Sequence, residues 1–214
     1  MKLVLDHVFI LVGSGGEAVQ ALLEGGFREG PGNAHPGQGT ANRRFFFANG
    51  MLEFLWVHDT GEAIAGPGRK LRFPERVSCP TASPYGVIVR PAGKGGGVMP
   101  FPGWTYQPDY FDPPWAFHVG ANSDCLDQPL CIYAPFLESG ENPRLVPERS
   151  GREITDVRIS TPADPAVGVL GDLVETECLS FREGAEHLME LTLDNHAMGK
   201  VLDCRPAIPL VLRW

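Results

Sequence analysis

The sequence predicts an α+β protein made of two βαβββ modules, and three observations support this prediction. Segments in which apolar and polar residues alternate, as in half-buried strands, recur along the 214-residue chain. The 26 glycines and 20 prolines cluster between those segments, which indicates that most connections are loops. The order strand, helix, strand, strand, strand occurs near the start and is repeated near the end. We expect the modules to form an open, curved, half-barrel mixed sheet around a cleft.

The first module is predicted to begin with a strand over residues 3–12, which carries His7 among apolar neighbours. Ser14 and Glu17 form a capping-box pattern, which favours a short helix through Leu22. The pair Gly25-Gly26 would end that helix, because glycine is typical just after a helix.

A hairpin is predicted to complete the first module after a short strand at Phe27–Glu29. Its strands are Arg43–Phe47 and Met51–His58, and Asn49-Gly50 is the preferred kind of two-residue turn between them. This module is assigned to residues 1–60.

The tail, residues 153–214, is predicted to be the second module, and residues 61–152 a loop- and strand-rich insertion within one structural domain. The middle segment contains three or four short strands with prolines at their ends, where a missing amide donor is tolerated. The predicted tail elements are strands at Glu153–Thr161, Glu177–Phe181, His187–Asp194 and Val201–Trp214, and a helix at Ala163–Leu173.

Composition excludes several classes of partner. The net charge of −8 and the lack of a basic stripe argue against nucleic acid. No apolar run approaches the roughly 20 residues that a membrane span needs, and the N-terminus lacks the pattern of a secretory signal. The five cysteines never occur in C-x-x-C spacing, which is typical of reduced thiols in a cytoplasmic protein. A small molecule is the expected partner.

His7 and Glu53 are the strongest candidates for a functional site. An imidazole and a carboxylate in neighbouring strands form half of a site for a divalent metal ion. Burial of the Glu53 carboxylate among apolar residues is unfavourable unless a cation, a donor or a proton offsets it. Two structural alternatives stay open: His7 as a core histidine, and Glu53 paired with Arg44 across the hairpin.

Further polar and aromatic residues are candidates for ligand binding. Gln38 and Asn42 lie on a polar segment that leads into the sheet, and Arg44 could grip a carboxylate or phosphate with two donors. Trp104 and Tyr106 could form a wall of the pocket, or they could pack over an exposed sheet edge.

The duplicated βαβββ pattern, with a histidine in the first strand and a glutamate in the fourth, resembles the vicinal-oxygen-chelate superfamily. The segment HPGQGTANRRFFFANGMLEFLWV is similar to glyoxalase-like domain proteins, with a GT-x-N motif followed by an LE strand. The W-x-Y-x-P-x-Y run from Trp104 to Tyr110 is also similar to that group.

The resemblance implies a metal site with ligands from the first and last strands of each module. His7, Glu53 and Asp156 match these positions, Asp203 is the candidate for the fourth, and His118 is an alternative to Asp156. The implied cofactor is a divalent ion (Mn, Fe, Mg, Ni or Zn), with Glu53 holding the ion or moving a proton as a catalytic residue. The implied activity is that of a lyase, isomerase or dioxygenase acting on vicinal oxygens.

The sequence leaves two other functions open. A protein of the same fold without a metal could sequester an apolar or aromatic ligand, with Arg44, Trp104 and Tyr106 in contact with it. Alternatively, the sheet could serve mainly to form a homodimer. Whether the protein is an enzyme is therefore undecided at this stage.

Overall fold

The computed structural model describes residues 2–13, 19–93, 98–137 and 151–214. These residues form thirteen strands and four short α-helices. The strands are β1 (Leu3–Leu11), β2 (Gly30–His35), β3 (Thr40–Phe46), β4 (Met51–Val57), β5 (Tyr85–Pro91), β6 (Gly103–Tyr106), β7 (Phe117–Gly120), β8 (Leu130–Tyr133), β9 (Ile154–Thr161), β10 (Leu179–Glu183), β11 (Leu188–Leu193), β12 (Val201–Asp203) and β13 (Leu210–Arg213). The helices are α1 (Gln20–Glu24), α2 (Thr60–Ala65), α3 (Phe73–Ser78) and α4 (Gly168–Asp172).

The larger of two sheets has eight strands in the order β2-β3-β4-β1-β5-β8-β7-β6. Its two halves have equivalent arrangements, because β1 is parallel to β4 in one half and β5 is parallel to β8 in the other. The halves join where β1 pairs antiparallel with β5. A cleft on this sheet can therefore receive side chains from both halves.

The α+β class and the open mixed sheets are confirmed. However, the groups of strands that pair with one another do not coincide with the predicted modules and insertion. The second half of the large sheet comes from β5 to β8, within the segment predicted as an insertion. Strands β9 to β13 form a separate sheet in the order β10-β9-β11-β13-β12, which differs from that of the first module. The tail repeats the order of elements along the chain, and this order does not specify which strands pair.

Several predicted boundaries also differ from those observed. Strand β2 lies at Gly30–His35, later than predicted, and it contains Pro31 and two glycines. Proline is tolerated there because β2 is an edge strand of the sheet. The predicted final strand is two strands, β12 and β13, which pair antiparallel. The capping-box residues Ser14 and Glu17 lie outside the described residues.

The main hydrophobic core lies between the two sheets. Strand β1 is buried along most of its length, as expected for a central strand covered on both faces. Its core-facing residues include Val8 and Ile10, which are fully buried. Other fully buried side chains of this core are Phe45, Phe54, Tyr85, Tyr133, Ile154 and Ile159.

No helix within the described ranges is long and apolar enough to cross a membrane.

Asn49, in the turn between β3 and β4, connects the two sheets. Its side-chain amide donates to the carbonyl of Ile154 and its side-chain oxygen accepts from the amide of Ile154, both at 2.8 Å. Nearby, the amide of Ala48 donates to the carbonyl of Arg152 at 2.7 Å. Asn49 is thus part of the connection between β3 and β4, and its side chain also satisfies both backbone groups of Ile154 at the start of β9.

We expect Asn49→Ala to lower the free energy of unfolding by about 2 kcal/mol, because two partly buried backbone groups lose their partners. Urea denaturation of both proteins measures this loss. A matched control is Asn33→Ala, since that side chain is exposed, its backbone has no positive φ, and neither of the two sheet-connecting bonds involves it. An unchanged midpoint for Asn49→Ala would show that the two bonds do not stabilise the packing of the sheets.

Candidate functional site

A cavity of about 630 Å³ lies on the face of the large sheet that is opposite the main core. Strands β1 to β4 and the loop between β2 and β3 supply most of its polar side chains, and strands from the other half supply Ile88, Tyr106, Phe117 and Ile132. The apolar part of its wall includes Phe9, Phe46, Leu55, Leu71, Phe73 and Phe111. The cavity is therefore formed by both halves of the sheet, as expected from their pairing.

Alternation places His7 and Phe9 of β1 on the cavity wall, and a β-bulge directly precedes His7. Between Leu5 and His7 the pairing with β5 shifts, so that Asp6 is an extra residue in β1. As a result Leu5 belongs to the main core with Val8, whereas His7 and Phe9 line the cavity. Strict alternation predicts Leu5 and His7 on one face and Asp6 on the other, and the bulge changes this arrangement.

The bulge also brings Asp6 into contact with His7. The Asp6 Oδ2 atom lies 2.6 Å from Nδ1 of His7, and both side chains are buried. The other Asp6 oxygen lies 3.4 Å from Nε of Arg90 in β5. An ionised carboxylate accepts hydrogen bonds only, so Nδ1 of His7 carries a proton and donates it. In the neutral imidazole, Nε2 is then an acceptor.

Glu53 in β4 presents a second acceptor next to His7. Its Oε2 atom lies 3.7 Å from Nε2 of His7, which is too long for a direct hydrogen bond. Its Oε1 atom accepts a hydrogen bond from the amide of Asn42. The side-chain oxygen of Asn42 accepts in turn from the backbone N–H of Asn33 at 2.6 Å. Asn42 therefore fixes the orientation of the Glu53 carboxylate.

Gln38 is the centre of a second polar network at the cavity. Its side-chain amide donates to the hydroxyl of Thr40 at 2.7 Å, and that hydroxyl lies 2.9 Å from Nδ1 of His35. Its oxygen accepts from the hydroxyls of Tyr106 and Tyr110, at 3.1 and 3.2 Å. The two tyrosines of the W-x-Y-x-P-x-Y run thus meet on one glutamine.

The loop that presents Gln38 depends on two glycines. Gly37 and Gly39 have φ angles of +77° and +69°, which side chains other than glycine rarely adopt. The backbone amide of Gly37 donates to a Glu62 carboxylate oxygen at 2.7 Å, which connects the loop to α2.

The hydroxyl of Tyr106, which donates to Gln38, is held in its protonated form. Burial has the largest effect and the Asp109 carboxylate the next largest, and both raise the pKa of Tyr106 well above its usual range. The Tyr106 hydroxyl is therefore a donor at neutral pH.

An aromatic cluster forms one side of the cavity. Phe111 is at its centre, with its ring centroid 4.9 Å from that of Tyr110 and 5.4 Å from that of Phe117. Phe136 lies 5.3 Å from Phe111, and Trp115 stacks on Phe136 at 6.1 Å. Trp115 is more than half exposed. Of these rings, Tyr110, Phe111 and Phe117 line the cavity and offer aromatic surface to a bound molecule.

Most of the predicted binding residues meet at this cavity. Gln38, Asn42, Arg44 and Tyr106 all line it. The guanidinium of Arg44 lies 5.2 Å from the centre of the Phe46 ring, and its Nε donates to the carbonyl of Pro31 at 2.7 Å. Trp104 is not among the residues that line the cavity, and its indole N–H donates to the Ser123 hydroxyl at 3.1 Å.

The predicted metal ligands from other segments lie elsewhere. Asp156 belongs to β9 in the smaller sheet, where its carboxylate is 3.4 Å from Nη2 of Arg158. Asp203 is exposed and pairs with Arg205 at 2.6 Å, which lowers the pKa of Asp203 to about 2. Nε2 of His118 lies 2.9 Å from the carbonyl of Phe101, and the two rings are stacked. The His118 side chain is therefore part of the packing around Phe101.

A divalent ion needs more donor atoms than the His7–Glu53 pair offers. The 3.7 Å between Nε2 of His7 and Oε2 of Glu53 would allow one ion to lie about 2.1 Å from each. However, no group of three or more histidine, cysteine, aspartate or glutamate side chains in the described part of the chain could hold a metal. The oxygens of Asn42 and Gln38 already accept hydrogen bonds. These residues therefore do not complete a metal site.

Two residues of the site were missed by sequence reasoning. Asp6 was assigned to the opposite face by strict alternation, although the Asp-His dipeptide in an apolar strand is a visible signal. Arg90, which lies near Asp6, gives no local signal because its role depends on the pairing of β5 with β1.

Comparison with known proteins agrees with this fold. The model of the glyoxalase-like domain family matches residues 5–84, from β1 through α3. A crystal structure of a hypothetical protein from Staphylococcus aureus aligns with a TM-score of 0.64 and 10% identity, covering 99% of this chain and 98% of the other. A hypothetical protein from Bacillus halodurans aligns over 66% of this chain and all of its own, with 13% identity and a TM-score of 0.43.

The comparison with curated protein sequences gives no significant match. The likeness to the staphylococcal structure extends over nearly the whole chain and concerns the fold alone, because the identity is low. The family match includes His7, the GT-x-N motif and Glu53, all of which lie at the cavity or in its hydrogen-bond network. Residues 5–84 are similar to the glyoxalase-like domain family, and the chain as a whole has the fold of the staphylococcal structure.

Proposed function

We propose that this protein binds a small molecule with an apolar or aromatic body and one hydrogen-bond donor group, and that it does so without a metal ion. The observation that carries this proposal is the convergence of two acceptors, Nε2 of His7 and Oε2 of Glu53, on a cavity wall that also presents the rings of Phe9, Phe73 and Phe117.

The cavity suits a ligand of modest size. Its volume of about 630 Å³ lies within the range of roughly 300–1,000 Å³ that is usual for small-molecule sites. Phe9, Phe73 and Phe117 would contact the apolar body, since their rings face the cavity. Burial of apolar surface supplies most of the affinity in such sites, and the few polar groups set the orientation.

The two acceptors define the polar group of the ligand. A single oxygen or nitrogen atom can lie about 2.8 Å from both atoms, which are 3.7 Å apart. That atom must carry hydrogen, because the Nε2 lone pair of the Nδ1–H tautomer of His7 and the carboxylate oxygen of Glu53 both accept at this point. A hydroxyl or amine group meets this requirement, and an ether or a halide does not.

Two matched ligands test the proposal. We expect 2-naphthol to bind clearly more tightly than 2-methoxynaphthalene, because only the naphthol has a donor. In Glu53→Gln the affinity for 2-naphthol should fall about tenfold or more, since hydrogen bonds to a charged group contribute about 1.5–3 kcal/mol. The affinity for 2-methoxynaphthalene should change little. Isothermal titration calorimetry measures all four affinities.

Glu186→Gln, on the exposed surface, is the control for the loss of one negative charge. Equal binding of the two naphthalenes to the unchanged protein would contradict the recognition of a donor. Failure of both to bind would contradict the proposed site as a whole.

Metal analysis tests the other part of the proposal. The protein is prepared with manganese, iron, nickel or zinc present, and its ion content is measured after dialysis. We expect no tightly held ion at the His7–Glu53 pair. About one ion per chain that is lost in both His7→Ala and Glu53→Ala would contradict the proposal and would support the metal-dependent activity implied by the sequence.

A further inference from the structure

We propose that Asp6 and His7 form a general-base pair that removes a proton from a small carbon acid held in the cavity. This inference rests on the proposed function, because the substrate must first bind in the cavity. The reaction would be a metal-independent proton abstraction, of the kind that begins an isomerisation or an elimination.

The first support is the state in which Asp6 holds the imidazole. With Nδ1 of His7 donating to Asp6 Oδ2 at 2.6 Å, the lone pair of the neutral ring is on Nε2. Nε2 faces the cavity next to Glu53, beyond hydrogen-bond distance of that carboxylate. The basic atom of the ring is thus directed at the site where a ligand would lie.

The second support is the charge around the ring. Accepting a proton makes His7 an imidazolium, and this cation would lie between the carboxylates of Asp6 and Glu53, 2.6 and 3.7 Å from its two nitrogens. Both side chains are less than a tenth exposed, so these attractions are weakly screened. Arg90, on the far side of Asp6, keeps that carboxylate oriented. The site therefore stabilises the product of proton transfer.

The third support is the surroundings of Nε2. Phe9 and Ile88 line the cavity beside His7, and both are buried. A base that is shielded from bulk water by apolar groups loses less of its strength to solvation. In this arrangement Asp6 is a positioning residue, and His7 is the group that would touch the substrate.

A chromogenic carbon acid, 5-nitrobenzisoxazole, provides a direct probe. Nε2 of His7 takes the proton at C3 of the probe, and the electron pair of that C–H bond forms the third bond of a nitrile. The N–O bond breaks and its electron pair stays on oxygen, which gives the coloured 2-cyano-4-nitrophenolate. The imidazolium then releases its proton to water, so the step needs no oxidant, reductant or co-reactant.

We expect the protein to accelerate this elimination and His7→Gln to lower the second-order rate constant about 100-fold, in line with general base catalysis. Asp6→Asn should cause a loss of similar size. The amide that replaces the carboxylate would donate to Nδ1, which places the ring proton on Nε2 and removes the basic lone pair. His58→Gln and Asp172→Asn, both on the exposed surface, are the matched controls and should keep the full rate.

A spectroscopic measurement tests the role of Asp6 without any substrate. Long-range ¹H–¹⁵N correlation spectra should show the Nδ1–H tautomer of neutral His7, and Asp6→Asn should change it to the Nε2–H tautomer. A merely structural role for Asp6 would leave the tautomer unchanged. Because this signal is read first in the unaltered protein, the inference stays testable even if a variant fails to fold.

Three results would overturn the inference. The first is the Nε2–H tautomer in the unaltered protein. The second is loss of probe turnover in Glu53→Gln together with full turnover in His7→Gln, which would make Glu53 the base. The third is tight binding of 2-naphthol with no acceleration of the elimination, which rejects the base and leaves the binding proposal intact. If 2-naphthol does not bind, the proposed function fails as well.

Discussion

Replacing Arg76 with methionine is expected to lower the free energy of unfolding by about 3 kcal/mol or more. Arg76 in α3 is only 3% exposed, and its guanidinium points into the loop that precedes β8. Its Nη1 atom donates to the carbonyls of Gln128 and Leu126 at 2.8 and 3.2 Å, and Nη2 donates to the carbonyl of Ser123 at 3.2 Å. Methionine fills a similar volume but leaves these acceptors without a donor.

The charge of Arg76 is retained despite its burial. Burial lowers the pKa of Arg76 to about 10, so the group is still protonated at neutral pH. The carbonyl dipoles around it compensate for the lost water. Because an ionised donor forms stronger hydrogen bonds than a neutral one, each lost bond costs more than a typical backbone bond.

Urea denaturation of Arg76→Met and Arg69→Met separates this effect from loss of a surface charge. Arg69 is exposed, so its replacement should change stability by less than about 0.5 kcal/mol. Arg76→Lys should be intermediate, because an ammonium group has three donors on one atom and cannot reach the same set of carbonyls. Equal stability of the two methionine variants would show that the Arg76 network does not stabilise the loop.

Replacing Gly86 with alanine is expected to affect both stability and ligand binding. Gly86 in β5 is directly opposite Phe9 in β1, and the Phe9 ring lies over the glycine. An added Cβ would overlap that ring, which also packs edge-on against Phe73 with centroids 5.9 Å apart. The ring would have to move toward the cavity. Overpacking of this kind costs about 1–3 kcal/mol.

Thermal unfolding and calorimetric titration with 2-naphthol measure the two effects of Gly86→Ala. The double variant Gly86→Ala with Phe9→Leu should recover part of the stability, since leucine leaves room for the new methyl group. Gly13→Ala is the control, because a Cβ at Gly13 meets no atom within 4 Å. If the two replacements at positions 86 and 9 were simply additive, the proposed steric conflict would be absent.

Local patterns predicted the first half of the large sheet well. The hairpin lies where it was predicted, but its connection is the four residues 47–50 rather than a two-residue Asn49-Gly50 turn, because Phe46 pairs with Met51. Alternation correctly places Glu53 on the same face as Asn42 and Arg44. The convergence of His7 and Glu53 on one concave face followed from the same periodicity. These features depend on interactions between residues that are close in sequence or in one repeating pattern.

The remaining features depend on pairings between distant segments. The chain order of elements in the tail gave no information about the partners of β9 and β11, which determine that Asp156 lies in the smaller sheet. Gln38 was expected in a polar loop, but its bonds to Tyr106 and Tyr110 require β6 and the segment after it to cross to the other half. Pattern reasoning within one segment has no access to such contacts.

The extra residue in β1 has a consequence for how this site should be traced in other chains. In a regular strand, neighbours in sequence diverge to opposite sides, so an aspartate followed by a histidine would be separated by the thickness of the sheet. Here one inserted position lets them touch. A homologue could keep both amino acids and still lose their partnership through a deletion between Leu3 and His7. A comparison of related chains therefore has to consider the number of residues in β1 before the Asp-His pair as well as the identity of the two residues.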